Sequence, residues 1–257
     1  MTSTKVFTGK VAFITGAGQG IGQGIARSLA KRGCNIAAAG RTLEKCEQTC
    51  ADIEKEFDVK ALPLRCDVGE AADLETSVKK TVETLGGINI LVNNAVSTSL
   101  GPLLSQQDKN IDEAFRVGPI ATLKLMQLCH PLLVAAGGGS IINMASTAAK
   151  RWDMTNYGLY AAEKDAIRAL TRAAASEWGK DNIRSNAILP HAKSPALAWW
   201  IDNNPEEAAA FISSIPMGRV GDCEADIGEF VAALCSPESG YVSGQSIAVD
   251  GGQAYMG

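Results

Sequence analysis

The chain has 257 residues, of which 46% are hydrophobic and 20% charged, with a formal net charge of −4 and a pI near 5.3. This length can bury one large core, and the acidic balance, with no basic run, excludes a general attraction to nucleic acid or anionic membranes. Seven scattered cysteines without a Cys-x-x-Cys pair, and a start without an apolar secretory segment, favour a reducing compartment. We therefore expect a cytoplasmic, single-domain protein over 1–257.

Neither a metal site nor a membrane span is predicted. His130 and His191 are the only histidines, and although Cys46 and Cys50 could share a helix face, no nearby histidine completes a zinc set. No uninterrupted apolar run reaches the roughly 18 residues that a membrane helix needs. We expect no metal, no nucleic acid and no membrane among its ligands and partners.

Short apolar or β-branched runs alternate with longer helical patterns along the whole chain. The runs predict strands at 11–15, 35–39, 60–66, 88–93, 140–144, 183–189 and 246–249. The intervening patterns predict helices at 20–32, 42–56, 70–85, 107–136, 155–179 and 222–235. Pro119 and Pro131 are expected to bend or end parts of the fourth helix. The alternation predicts an α/β, Rossmann-like three-layer αβα sandwich with a seven-stranded, mainly parallel sheet.

The least regular stretch is 191–217, where prolines punctuate an apolar segment that contains two adjacent tryptophans, Trp199 and Trp200. It follows the sixth predicted strand. Open α/β sheets bind ligands outside the carboxyl ends of their strands. We therefore expect a substrate-lid insertion at about 191–217.

A glycine pattern, Gly16-x-x-x-Gly20-x-Gly22, joins the first predicted strand to the first predicted helix. Backbone amides of such a loop, and the amino end of the helix, can receive a pyrophosphate. An ordinary glycine-rich turn is the alternative, but the strand before and the helix after favour a dinucleotide.

The residue after the second strand bears on the choice of cofactor. A site for NAD usually carries an acidic residue there to bind the ribose hydroxyls, whereas this chain reads Ala39-Gly40-Arg41-Thr42. The guanidinium of Arg41 can instead pair with a 2′-phosphate, which favours NADP (NADPH) over NAD. A solvated arginine at a helix start is the alternative.

Tyr160 lies 14 residues after Ser146, and Lys164 lies four residues after Tyr160. Residues at this spacing share a helix face, so the ammonium can lie beside the phenol oxygen and favour its deprotonated form. For Tyr160 to act as acid or base near neutral pH, its ionised form must be stabilised by about 4 kcal/mol relative to an ordinary tyrosine. A lysine at about 5 Å supplies about 3 kcal/mol at an effective dielectric of about 20.

Together these motifs resemble the short-chain dehydrogenase/reductase family over nearly the whole chain. The resemblance implies an NAD(P)-dependent enzyme acting on a CH–OH group, and a homotetramer. The implied catalytic residues are Ser146, Tyr160 and Lys164. The implied cofactor-binding residues, with Arg41, Tyr160 and Lys164, are Gly16, Gln19, Gly20, Ile21, Gly22, Asp67, Val68, Asn94, Ala95 and Pro190.

Three positions depart from the family pattern. Gly118 stands where the family usually has an asparagine that supports a proton-relay water. Val96 replaces a glycine after Asn93-Asn94-Ala95, and Pro190-His191 replaces Pro-Gly after the sixth strand. We therefore expect a Ser146, Tyr160 and Lys164 triad whose proton path runs through water or another group, with His191 as one candidate carrier.

The expected reaction interconverts a secondary alcohol and its ketone, with Tyr160 as acid or base and Ser146 donating to the substrate oxygen. The substrate-binding residues are expected to be Val96, Ser146, Met154, Tyr157, His191 and Trp199. Their apolar surface suits a bulky, steroid-like, cyclic or aryl ketone, although aromatic residues at this density can equally be helix packing. The alternatives are an NAD-dependent or acyl-thioester ketoreductase, and a regulatory or structural dinucleotide-binding protein whose catalysis has decayed.

Overall fold

The computed structural model describes residues 5–150, 155–254 and 256. Seven parallel strands form one sheet in the order β3-β2-β1-β4-β5-β6-β7. Their bounds are β1 Val11–Thr15, β2 Asn35–Gly40, β3 Ala61–Arg65, β4 Ile90–Asn93, β5 Gly139–Met144, β6 Ile183–Pro190 and β7 Ser246–Val249. The predicted sandwich with a seven-stranded sheet is confirmed.

Helices cover both faces of this sheet. Their bounds are α1 Gly20–Lys31, α2 Leu43–Glu56, α3 Ala71–Leu85, α4 Asp108–Phe115, α5 Ala121–Ala135, α6 Gly158–Trp178, α7 Pro195–Asn203, α8 Pro205–Ser213 and α9 Glu229–Cys235. Buried side chains of α1, α2 and α9 pack on one face, and those of α3, α5 and α6 on the other. Because both faces are covered, the strands read as continuous apolar runs rather than alternating ones.

Strand β1 shows how one run serves both layers. Ile14 packs with the α1 side of the sheet and Phe13 with the α3 side, and both side chains are fully buried. Successive side chains of a strand point to opposite faces. Full burial of such a side chain contributes about 1.5–3 kcal/mol, so the central strands anchor the loops that follow them.

The fourth predicted helix is interrupted near its middle. Between α4 and α5 the chain makes a wide turn of π-helical type over Arg116–Ile120, and Gly118 leaves helical geometry with φ −83° and ψ −105°. Pro119 follows directly and has no N–H to donate, so the prediction of a bend there is confirmed. Pro131 does not end the helix, because α5 continues to Ala135 with Cys129 and Leu133 buried on either side.

The helical run Asp108–Ala135 is long and apolar enough, by length and composition alone, to cross a membrane. The expectation drawn from uninterrupted apolar residues missed it because Lys124 breaks the run. Half of its most apolar window is buried inside the fold, and Leu125 and Met126 belong to the core beneath the sheet. Core packing therefore accounts for its hydropathy.

The expectation of an irregular 191–217 segment is wrong for its central part, which forms α7 and α8. Pro195 and Pro205 each occupy the first helical position, where the missing N–H costs nothing. Prolines therefore start these helices instead of breaking them. The ring of Trp200 packs edge-on against that of Phe211, with centroids 5.7 Å apart, which joins the two helices above the end of β6.

Candidate functional site

The glycine loop after β1 has the backbone geometry that its sequence suggested. Gly16 and Gly20 adopt left-handed φ values of 66° and 59°, which side chains rarely tolerate. A Cβ on Gly22 would lie 2.4 Å from the carbonyl oxygen of Gly16. The loop therefore closes tightly onto the amino end of α1 and lines a cleft there, and a helix amino end favours an anionic group such as a pyrophosphate.

Asn94, just after β4, holds this loop against the sheet. Its side-chain amide donates to the carbonyl oxygens of Thr15 and Gly16 at 2.9 and 3.2 Å. The Thr15 hydroxyl in turn accepts from the backbone N–H groups of Asn94 and Ala95 at 2.9 and 3.0 Å. The carboxyl ends of β1 and β4 are thereby tied together beneath the loop.

A cleft of about 460 Å³ runs along the carboxyl ends of β2, β1 and β4. It brings together eleven of the residues named from the sequence, which are Gly16, Gln19, Gly20, Ile21, Arg41, Asp67, Val68, Asn94, Ala95, Val96 and Tyr160. Gly22 lies beneath the loop and not on the cleft wall. One cleft thus reaches from the end of β2 to the start of α6.

The β2 end of the cleft is positively charged. Arg41 is exposed there and makes no ion pair within the described ranges 5–150, 155–254 and 256. Lys45 lies four residues further along, and its ammonium donates to the Gln19 side-chain oxygen at 2.6 Å. Sequence reasoning missed Lys45, which lies in the first turn of α2, four residues after Arg41. Together the two cations favour an anionic group at this end of the cleft.

Asp67 lies across this end of the cleft, after β3. Its carboxylate accepts from the N–H of Gly69 at 2.9 Å, and its own N–H donates to Asp73 at 2.9 Å. Val68 continues the wall. These bonds hold the turn in place. The Asp67 carboxylate thus binds a backbone N–H of its own turn while the residue still borders the cleft.

Ser146, Tyr160 and Lys164 converge at the other end. Ser146 follows β5 and its hydroxyl accepts from the N–H of Ala148 at 3.2 Å. A side-chain hydrogen bond joins Ser146 to Tyr160. The buried ammonium of Lys164 donates to the carbonyl oxygen of Met144 at 3.1 Å and lies 5.5 Å from the centre of the Tyr160 ring. Strand β5 and helix α6 therefore bring the three residues together.

The ionisation of these groups differs from the expectation based on Lys164 alone. Burial raises the pKa of Tyr160, the hydrogen bond from Ser146 lowers it, and the negative charge of Glu163 raises it further. Burial also lowers the pKa of Lys164, while Glu163 opposes that change. In the chain by itself, desolvation therefore outweighs the hydrogen bond from Ser146, and the neutral phenol is favoured.

Glu163 was not among the residues named from the sequence. It is 1% exposed, and one carboxylate oxygen lies 3.8 Å from the Lys164 ammonium. Burial raises the pKa of this carboxyl to about 7, and Lys164 pulls it down. The sequence shows a glutamate directly before Lys164, but it does not show that this side chain is buried. Acidic side chains in helices are usually solvated.

Four more residues expected to contact substrate or cofactor do not line the cleft itself, and these are Tyr157, Pro190, His191 and Trp199. The Tyr157 ring packs edge-on against the Tyr160 ring with centroids 6.2 Å apart. His191 follows Pro190 at the end of β6, and its ring packs against Phe211 at 5.1 Å. Trp199, on α7, is 67% exposed and does not line the cleft. Met154 lies outside the described residues.

The segment Ser194–Ala196, within the insertion expected at about 191–217, lines the cleft above the glycine loop. The Ser194 hydroxyl caps α7 by accepting from the N–H of Leu197 at 3.4 Å. The Pro195 ring lies 3.1 Å from the position of a Cβ on Gly20. Helix α7 therefore begins directly over the loop, a contact between residues far apart in the sequence.

The sequence and the fold of this chain resemble those of known proteins. The sequence profile of a family described as Enoyl-(Acyl carrier protein) reductase matches residues 16–254. A 12α-hydroxysteroid dehydrogenase from a Clostridium species is 39% identical over 254 residues, covering 96% of this chain and 97% of that protein. A tropinone reductase homolog from Arabidopsis thaliana is 32% identical, covering 95% and 92%.

Among solved structures, a 7α-hydroxysteroid dehydrogenase complexed with NADH and 7-oxo glycochenodeoxycholic acid superposes with a TM-score of 0.92 at 31% identity. The match covers 100% of this chain and 98% of that one. The family binds NAD(H) or NADP(H) and acts on hydroxyl and ketone groups. The chain therefore belongs to the short-chain dehydrogenase/reductase family and is an oxidoreductase.

Proposed function

We propose that the chain interconverts a bulky, steroid-like secondary alcohol and its ketone with NADP(H), using Tyr160 as the acid and base. The observation that carries this proposal is the single cleft that has Arg41 at one end and Tyr160 at the other. The glycine loop lies between them. A dinucleotide bound along the cleft would extend its nicotinamide end toward Tyr160.

Three side chains do the proton chemistry in this proposal. Tyr160 gives its proton to the developing alkoxide in ketone reduction and takes it back in alcohol oxidation. Ser146, which already shares a hydrogen bond with Tyr160, donates to the same substrate oxygen and stabilises its negative charge. The positive charge of Lys164 favours the ionised form of Tyr160. The cofactor, when bound, supplies or accepts the hydride.

The preference for NADP is supported by charge. Arg41 and Lys45 place two cations beside the β2 end of the cleft, and no acidic side chain occupies the position of Arg41. A guanidinium binds phosphate oxygens with two parallel hydrogen bonds, and an ammonium adds a point charge. The solved 7α-hydroxysteroid dehydrogenase holds NADH, so the proposal rests on these two residues and not on that neighbour.

The substrate class is supported by surface and by relatives. Val96 is 43% exposed on the cleft wall and the Tyr157 ring lies beside Tyr160, so apolar surface borders the proposed reacting group. One relative is named for the 12α-hydroxyl of a steroid, and a solved neighbour holds a 7-oxo bile acid conjugate. A rigid, largely apolar ketone matches this wall better than a polyol does.

The test is NADPH consumption with a panel of steroid, aryl and acyl-thioester ketones, comparing the wild-type chain with Tyr160→Phe. We expect turnover of a steroid ketone and, in the variant, a loss of about 100-fold or more with NADPH binding retained. Tight NADPH binding without turnover on any ketone would instead support a dinucleotide-binding protein that has lost catalysis. Faster turnover of acyl thioesters would replace the steroid assignment.

A further inference from the structure

A buried carboxylate, that of Glu163, lies beside the proposed proton path and accepts no hydrogen bond from the described residues. Both oxygens of Glu163 lack a hydrogen bond within residues 5–150, 155–254 and 256. A buried carboxylate that accepts no hydrogen bond is costly, and such a carboxyl group commonly takes up a proton. The position therefore suits a group that binds and releases a proton.

Gly118 makes room for this carboxylate. A Cβ built on Gly118 would lie 3.3 Å from an oxygen of Glu163 and 3.5 Å from its carboxyl carbon. Any larger side chain at 118 would therefore compete with the carboxylate for space. Gly118, which replaces the family asparagine, thus lies directly against the buried Glu163, although the two residues are 45 positions apart in the sequence.

Few other charges act on Glu163. On its own helix it faces Lys164 and influences Tyr160. On the neighbouring segments, the exposed side chain of Arg116 pairs with Glu70 at 2.9 Å, and Glu113 accepts from Ser97 at 3.0 Å. Lys150, on the segment after Ser146, is exposed. Lys164 is therefore the dominant partner of Glu163.

We propose that Glu163 is the positioning residue that exchanges protons with Lys164, in place of the relay that an asparagine at 118 would support. This inference rests on the proposed role of Tyr160. When an alcohol is oxidised, its O–H bond breaks and the proton passes to the Tyr160 oxygen. Lys164 gives one of its protons to the Glu163 carboxylate, which becomes a carboxylic acid, and takes up the proton from Tyr160, which returns to its ionised form. Ketone reduction reverses these transfers, and Glu163 is neither oxidised nor reduced.

The experiment compares Glu163→Gln with Glu177→Gln, a matched control on an exposed position of the same helix. In the wild type we expect the rate of alcohol oxidation to rise with pH through about 7, the pKa of Glu163. In Glu163→Gln we expect kcat to fall roughly tenfold with little change in KM, and the rise near neutral pH to disappear. Glu177→Gln should match the wild type.

Equal pH profiles for Glu163→Gln and Glu177→Gln would overturn the inference while leaving the proposed function intact. The proposed function fails separately, if Tyr160→Phe keeps its turnover. Carboxyl ¹³C NMR of the wild-type chain provides a readout that needs no variant to fold. A glutamate signal titrating near pH 7 supports the inference, and titration of every glutamate near its ordinary value of 4.5 overturns it.

Discussion

Burial controls the ionisation of the side chains on the face of α6 that carries the proposed catalytic residues. Tyr160 and Glu163 both have raised pKa values, and that of Lys164 is lowered, with desolvation the largest cause in each case. Each shift disfavours a charged form. The proposed triad therefore needs stabilisation of its charged forms beyond that given by the chain alone to work near neutral pH.

Stability should report the titration of Glu163. Its pKa rises from 4.5 unfolded to about 7 folded, so between these values the folded chain binds more protons. The stabilisation is complete below pH 4.5 and is lost as pH rises through about 7, a change of about 3 kcal/mol. Urea unfolding should show a smaller loss with rising pH in Glu163→Gln. If the unfolding free energies of the wild type and Glu163→Gln depended on pH in the same way, the raised pKa of Glu163 would be contradicted.

Arg41 should decide the cofactor. Removing one charge-assisted contact to phosphate costs about 1.5–3 kcal/mol, so Arg41→Ala should weaken NADPH binding roughly 10- to 100-fold. NADH binding should hardly change. Fluorescence titration with both cofactors measures this, and Arg172→Ala, an exposed arginine of α6, serves as the control. Equal losses for the two cofactors would show that Arg41 does not recognise a 2′-phosphate.

Element boundaries in this chain follow from backbone chemistry. Pro195 and Pro205 begin helices because each takes the first helical position, and Pro119 interrupts one because it follows a non-helical Gly118. The same residue type thus starts one helix and breaks another. The glycine loop between β1 and α1 is equally position-dependent, since Gly22 has backbone atoms where a side chain would go.

Gly22→Ala should displace the phosphate-binding loop. Its Cβ would meet the Gly16 carbonyl oxygen at 2.4 Å and the Asn94 amide at 2.5 Å, and the backbone contact cannot be relieved by a rotamer change. We expect a loss of about 1–3 kcal/mol in stability together with weaker cofactor binding. Thermal unfolding and cofactor titration measure both. Gly87→Ala, with no atom within 4 Å of its Cβ, should change neither.

At the scale of the whole molecule, a buried chain of polar side chains fixes α6 to the sheet. The Asn93 amide donates to the Asn143 oxygen at 2.8 Å, and the Asn143 amide donates to the Thr171 hydroxyl at 2.9 Å. These residues lie on β4, β5 and α6. Since α6 also carries Tyr160 and Lys164, the network sets their position relative to Ser146 after β5.

Asn143→Ala should loosen this attachment. The Asn93 amide would lose its acceptor in the core, and an unsatisfied buried donor costs about 1–3 kcal/mol. We expect that loss in urea unfolding. We also expect a lower kcat, because α6 would be held less firmly in position against β5. Asn203→Ala, at an exposed position, should change stability by less than about 0.5 kcal/mol. An unchanged midpoint for Asn143→Ala would argue against the role of the network.

The sequence alone predicts the seven strands, the helices outside 191–217, the glycine loop, Arg41 after β2, and the spacing of Ser146, Tyr160 and Lys164. Each of these depends on local periodicity or on neighbours within a few residues. It could not show that α7 begins over Gly20, or that Glu163 is buried against Gly118. Those features depend on packing between distant segments, and only burial converts an ordinary helical glutamate into a group with a pKa near 7. The tertiary structure therefore decided which charges surround the proposed catalytic tyrosine.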